Sequence, residues 1–159
     1  MTVAVDAAGR FAGYASLFNV RDASGDEVLP GAFARSLARR GPAEIRMLFQ
    51  HDPKEPVGTW HAVREDARGL WVEGRLINAV PRAEALRALI AGRALDGLSI
   101  GFRTVAAQRG RGRRRLVEID LWEISIVTFP MLAGARIASG KSSQAAKAIA
   151  AAISVLKEQ

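Results

Sequence analysis

Apolar residues alternate with polar or small ones over several short stretches of this chain, the period-two pattern of strands with one buried face. Arg10 to Phe18 predicts a first strand, followed by a turn-forming connection, Asn19-Val-Arg-Asp-Ala-Ser-Gly-Asp26, rich in side chains that bond their own backbone. Pro30 opens a short helix carrying Phe33 and Leu37, stopped near Arg40-Gly41-Pro42. Ile45 to Gln50 predicts a strand with Ile45, Met47 and Phe49 on one side. It runs into His51-Asp52-Pro53, where the chain is expected to leave the sheet because proline cannot donate to a ladder. Val57 to Val63 and Leu70 to Ile77 predict a hairpin joined by the charged turn Arg64 to Gly69. The clearest helix is Pro81 to Ala91, with Ala85, Leu86, Leu89 and Ile90 as its apolar set and Gly92 as its stop.

The two most informative strands come next. Leu98 to Arg103 places Leu98, Ile100 and Phe102 on the core face and Ser99, Gly101 and Arg103 on the other. Leu116 to Phe129 is a long extended pattern ending at Pro130, with Trp122, Ile124 and Ile126 sharing a face and Glu123 and Ser125 opposite. Between them, Arg109-Gly-Arg-Gly-Arg-Arg-Arg115 interrupts the strands with five arginines in seven residues. Strands separated by short turns, without regular strand-helix alternation, predict a mainly β fold with flanking helices. A closed or semi-closed β barrel is favoured over a doubly wound parallel sheet.

At 159 residues the length suits one domain, and 49% apolar with 25% charged content is globular. The composition shifts near Ser139, which divides the chain into a domain at 1–139 and an Ala-rich helix or assembly arm at 140–159. Ile149, Ile153 and Leu156 form one stripe of that arm. The absence of cysteine removes disulfides, thiolate metal sites and a cysteine nucleophile. Two histidines without a His-Glu-x-x-His pattern make a metal centre a poor fit, and no glycine-rich nucleotide loop occurs, so no metal and no cofactor are expected. Neither a basic leader followed by an apolar run nor an 18-residue apolar span is found, so a non-membrane, cytoplasmic protein is expected. The net charge of +7 points to anionic partners without naming them. The arginine run suits a hairpin tip on nucleic acid, contact with an acidic protein or a solubilising loop, and leaves nucleic acid undecided.

Ser99 is the candidate nucleophile: a strand fixes its hydroxyl, and Gly97 and Gly101 leave space for a substrate backbone. Gly97-Leu-Ser-Ile-Gly101 has the Gly-x-Ser-x-Gly spacing but lies inside a strand, whereas a nucleophile elbow needs a strand-turn-helix transition. A serine hydroxyl needs a base, and His51, at the end of an apolar strand, is the candidate; His61, inside a strand, is ranked below it. A third group must orient the imidazole. Glu123 is preferred because a carboxylate in so apolar a strand needs a partner, with Asp120 and Asp52 as rivals. Each of these residues also has a plain structural reading, as a packing histidine, a strand serine or a solvated glutamate at a barrel rim.

Six segments in order resemble the prohead maturation proteases of tailed bacteriophages, the HK97-type serine peptidases. They are Gly13-Tyr-Ala-Ser-Leu-Phe18, Leu29-Pro-Gly-Ala-Phe33, Phe49-Gln-His-Asp-Pro53 with Pro56-Val-Gly58, Leu70-Trp-Val-Glu-Gly-Arg-Leu76, Leu95-Asp-Gly-Leu-Ser-Ile-Gly-Phe102, and Asp120-Leu-Trp-Glu-Ile-Ser-Ile-Val-Thr-Phe-Pro130. The resemblance implies a barrel related to the herpesvirus assembly proteases. It also implies a serine endopeptidase acting through an acyl-enzyme on scaffold or major capsid protein. The expected setting is the bacterial host cytoplasm, inside the immature prohead. It places the family's histidine on His51, its serine on Ser99 and its acid on Glu123, with Asp120 still open. Self-association as a homodimer or higher oligomer is a further expectation. The competing class is a non-catalytic capsid-assembly or nucleic-acid-binding protein using the basic 109–115 loop; a hydrolase of simple esters ranks below both.

Overall fold

A computed structural model describes residues 4–139; the arm expected at 140–159, with its Ile149, Ile153 and Leu156 stripe, lies outside the described residues. Seven strands and two α-helices follow one another as β1 (Arg10–Leu17), β2 (Asp26–Val28), α1 (Ala34–Arg39), β3 (Arg46–Phe49), β4 (Asp52–Glu65), β5 (Gly69–Leu76), α2 (Pro81–Ala91), β6 (Gly97–Gly110) and β7 (Arg113–Val127). The strands pair laterally as β1-β5-β4-β3-β7, and β6 lies on the other edge of β7.

β7 organises this sheet. One edge pairs with β6 along its whole length; the other pairs in parallel with β2 at residues 114–116 and with β3 at residues 123–126. The gap between those two short strands is filled by the chain around α1, where Ile119 N–H donates to Ala32 O and Leu121 N–H to Ser36 Oγ. Buried backbone donors there are thus satisfied although no strand runs alongside.

The sheet curls until β1 and β6 face each other, and residues 135–138 join them. Leu98 N–H donates to Ala135 O and Ile137 N–H to Asp96 O on the β6 side, while Ala138 N–H donates to Ala12 O of β1. Among the described residues this closure consists of isolated bridges, Gly13 with Ile137 and Gly97 with Arg136, not a ladder. The barrel is therefore half-open. Gly13 is needed there, because a Cβ at that position would collide with Arg136 O.

The interior holds Phe33, Trp60, Leu70, Leu86, Leu98, Leu116, Leu121 and Ile124, each almost wholly buried. Phe11 packs edge-on against Trp60 at 5.5 Å between ring centres, and Tyr14 against Trp71 at 5.0 Å. α2 has the expected bounds, but it buries Ala83, Leu86 and Ile90 and leaves Leu89 exposed, because only a narrow stripe reaches the sheet.

Three local expectations need correction. The chain does not leave the sheet at Asp52-Pro53: Phe49 pairs with Asp52 and Leu48 with Pro56, so the two prolines are tolerated by letting residues 53–55 bulge from one strand. The segment 109–115 is not an interrupting loop, since β6 and β7 continue to a turn at Arg111-Gly112. Trp122 does not share the inward face of Ile124 and Ile126; a bulge opposite Gly101 and Phe102 resets the alternation and leaves Trp122 49% exposed.

Candidate active site

His51 sits at the tip of the β3-β4 hairpin, where both turn residues have left-handed backbone, Gln50 with φ 54° and His51 with φ 59°. Non-glycine residues adopt this conformation at a cost of about 1–3 kcal/mol each unless their surroundings hold them. β7 supplies the hold. Gln50 N–H donates to Ile126 O at 3.0 Å, Gln50 Nε2 to Thr128 Oγ1 at 2.6 Å, and His51 N–H to Ser125 Oγ at 3.0 Å. The turn is thus fastened to β7 through Gln50 and the His51 backbone, and the histidine presents its ring over the outer face of β7.

There His51 Nδ1 meets Glu123 Oε1. A carboxylate only accepts, so Nδ1 carries the proton and Nε2 keeps its lone pair. The hydrogen bond to Glu123 raises the His51 pKa above its ordinary 6.5; burial opposes this shift, and the glutamate charge reinforces it. Glu123 is 8% exposed, and its second oxygen accepts from Ser125 Oγ at 2.6 Å. Ser125 therefore joins the turn to the carboxylate, accepting from the His51 backbone and donating to Glu123. Sequence reasoning assigned it no role. Its signal was present nonetheless, a serine two positions beyond Glu123 on the same strand face.

Ser99 lies on β6 directly across from Ser125, and Gly101 directly across from Glu123. Ser99 is 7% exposed, and its hydroxyl has no hydrogen-bond partner among the described residues. Ser99 and His51 line one cavity of about 170 Å³, walled also by Leu17, Val20, Val28 and Met131. The structure thus brings the three foremost candidates, Ser99, His51 and Glu123, to one outer face of β6, β7 and the β3-β4 turn.

Gly101 has a different use from the one expected. A Cβ built on it would overlap Glu123 Oε1 and lie 2.5 Å from the glutamate Cδ. The space left by the missing side chain is filled by the carboxylate, not kept for a substrate backbone. Gly97 is similarly occupied, by Val127 O and the Pro130 ring. Gly101→Ala should therefore displace Glu123 and let the His51 pKa fall towards 6.5, read by NMR titration of the imidazole. An unshifted pKa in a folded variant would show that the carboxylate has room elsewhere.

The rival residues are engaged elsewhere. Asp120 is held below the usual carboxylate range, chiefly by a hydrogen bond from Arg40, with burial opposing and the charges of Arg40, Arg39 and Arg103 adding. Asp52 Oδ1 accepts from Lys54 N–H at 2.9 Å within the β4 bulge. His61 is exposed on β4, where the pairing with β5 skips it. At the basic hairpin, Arg114 binds Asp26 through two bonds of 3.0 and 2.7 Å, while Arg113 and Arg115 each lie 3.6 Å from Glu27. Much of that arginine run thus neutralises β2 and fastens it to β7. Among the described residues no group of histidine, aspartate and glutamate side chains could hold a metal ion, and no helix is long and apolar enough to cross a membrane.

Residues 2–149 match the protein family described as Caudovirus prohead serine protease. The prohead protease of Enterobacteria phage HK97 is 38% identical over 140 residues, which make up 84% of this chain and 61% of that protein. The chain thus spans about three-fifths of the length of this curated relative. Among solved structures, the bacteriophage T4 capsid assembly protease superimposes with a TM-score of 0.62 at 12% identity, covering 76% of this chain and 82% of that one. The KSHV protease, solved with a hexapeptide phosphonate inhibitor, gives 0.55 at 14% identity over 80% of this chain and 63% of that one. The varicella-zoster virus protease gives 0.53 at 14% identity, over 80% and 62%. At such identities the likeness is one of fold, and the expected semi-closed barrel of herpesvirus-protease type is what the curled, half-open sheet presents.

Proposed function

The chain belongs to the Caudovirus prohead serine protease family, and from that premise we propose that it is a serine endopeptidase acting through Ser99, His51 and Glu123. One observation carries this reading: Glu123 fixes the imidazole of His51 over the cavity that also holds a serine hydroxyl without a hydrogen-bond partner among the described residues.

His51 Nε2 takes the Ser99 proton as Ser99 Oγ bonds to the scissile carbonyl carbon. The imidazolium then gives that proton to the leaving amine as the C–N bond breaks, leaving an acyl-enzyme. Water, deprotonated by the same nitrogen, attacks the ester and releases the acid, and the proton returns to Ser99. Glu123 accepts from Nδ1 throughout and stabilises each imidazolium. Ser125 and Gly101 act through Glu123 as positioning residues.

The substrates are the major capsid and scaffold proteins, and the setting is an immature shell. Support comes from the family match and from the relatives named as prohead and capsid assembly proteases. Incubating the purified protein with its neighbouring capsid and scaffold proteins, and weighing the products, is expected to give a few discrete cuts. Pretreatment with a serine-reactive phosphonate should remove them. Intact substrates after incubation of folded enzyme under assembly conditions would overturn the reading in favour of a structural role.

A further inference from the structure

We infer that the outer face of β6 and β7 carries a subsite for an acidic segment of the substrate, built by Arg39 and Arg103; this rests on the protease reading. The strand geometry sets its place. Ser99, Gly101 and Arg103 project from the same face of β6, and across from them β7 presents Ser125, Glu123 and Asp120. Four residues at about 3.3 Å each put Arg103 roughly 13 Å along the strand from Ser99. An extended peptide running along this face would bring a side chain three to five positions from the scissile bond over Arg103.

At that point three guanidiniums converge on one carboxylate. Asp120 lies 2.5 Å from Arg40, 3.5 Å from Arg39 and 3.9 Å from Arg103. Arg40 makes the closest of these contacts, bonds both Asp120 and Leu121 O, and is mostly covered. The side chains of Arg39 and Arg103 are 63% and 71% exposed. Exposed ion pairs of this kind contribute about 0–1 kcal/mol, so stability does not account for two further positive charges here. Their donors remain open to solvent, and a guanidinium's planar fork matches a second carboxylate.

Between the arginines and the Ser99 centre lies Trp122, which the bulge leaves exposed on the strand. Exposed tryptophan beside arginine is a composition enriched where proteins bind proteins. The cluster is compact, two exposed arginines at one point and not a stripe along the surface, which favours a peptide carboxylate over a nucleic-acid backbone.

The test separates this subsite from the catalytic reading by measuring binding and cutting independently. On a Ser99→Ala background, fluorescein-labelled alternating Glu-Ala and Gln-Ala decapeptides are titrated at physiological ionic strength, with and without Arg39→Gln and Arg103→Gln together. The Glu-Ala peptide is expected to bind at least tenfold more tightly than the Gln-Ala peptide, and the double substitution to abolish that preference. Arg109→Gln with Arg111→Gln, at the hairpin tip, should leave the preference in place. Equal affinity with and without Arg39 and Arg103 would overturn the subsite, as would a single-stranded oligonucleotide that displaces the peptide and binds more tightly. In parallel, enzyme with Ser99 intact digests a peptide library of broad composition. Acid-dependent binding without any cleavage would uphold the subsite and sink the protease reading. Cleavage with no acidic preference three to five residues from the cut would do the reverse.

Discussion

Ser99→Ala protein is expected to fold as the parent does and to lose peptide cleavage by about 10⁴-fold or more. The substitution removes one oxygen that has no hydrogen-bond partner among the described residues, so no buried group is left unpaired. Thermal midpoints should therefore agree closely, with stability within about 0.5 kcal/mol of the parent. Turnover is different, because without Oγ there is no atom to carry the acyl group, and the rest of the site can only bind and polarise the carbonyl. His51→Ala combined with Ser99→Ala should be no worse than either alone, since the two groups act in one proton transfer. Steady-state cleavage of a mapped substrate peptide is the measurement. Retained turnover in folded Ser99→Ala protein would remove the nucleophile from the mechanism.

Glu123→Gln should cost about 10²–10⁴ in kcat and also displace the pH profile, which distinguishes it from a packing defect. In the parent, the hydrogen bond and charge of Glu123 hold the His51 pKa above 6.5, so the neutral base becomes available only as pH rises through that raised value. The acidic limb of kcat/KM therefore lies above 6.5 in the parent and should move to lower pH in the variant while the plateau falls. Asp120→Asn removes a charge from the same strand but one engaged with Arg40, Arg39 and Arg103, so the acidic limb should stay where the parent has it. If Asp120→Asn alone abolished activity and Glu123→Gln left the limb in place, the third member would be Asp120.

The long-period features of this molecule were legible in its sequence. Pro81 and Gly92 bracket α2, Asp66 and Gly69 close the β4-β5 hairpin, and strict alternation puts Ser99 opposite the core residues Leu98 and Ile100. Glu123 was legible too, because an ionised group in an apolar strand requires a partner. Features set by register were not. Gly101 accommodates Glu123 only because β6 and β7 align them across the ladder, and no local pattern specifies that alignment. Trp122 was misassigned because one bulged residue inverts every side chain beyond it. The arginine run reads as a solvated loop until β2 arrives from far upstream with Asp26 and Glu27. Ser125 needed knowledge of the His51 turn, whose left-handed backbone neither Gln50 nor His51 favours on its own.

The half-open closure of the barrel has a consequence for the order in which the molecule can be completed. Residues 135–138 bond to β1 on one side and to β6 on the other, so the edge of the strand bearing Ser99 stays unbonded until they have been made. Synthesis runs from the N-terminus, and β1 through β7 leave the ribosome before the segment that locks them. The strand bearing Ser99 is secured along one edge by its ladder with β7, and only its other edge, at residues 96–98, waits for that segment. The pairing that sets Ser99 across from Ser125 and Gly101 across from Glu123 can thus be made first, and the closing segment adds the tie that joins this face to β1.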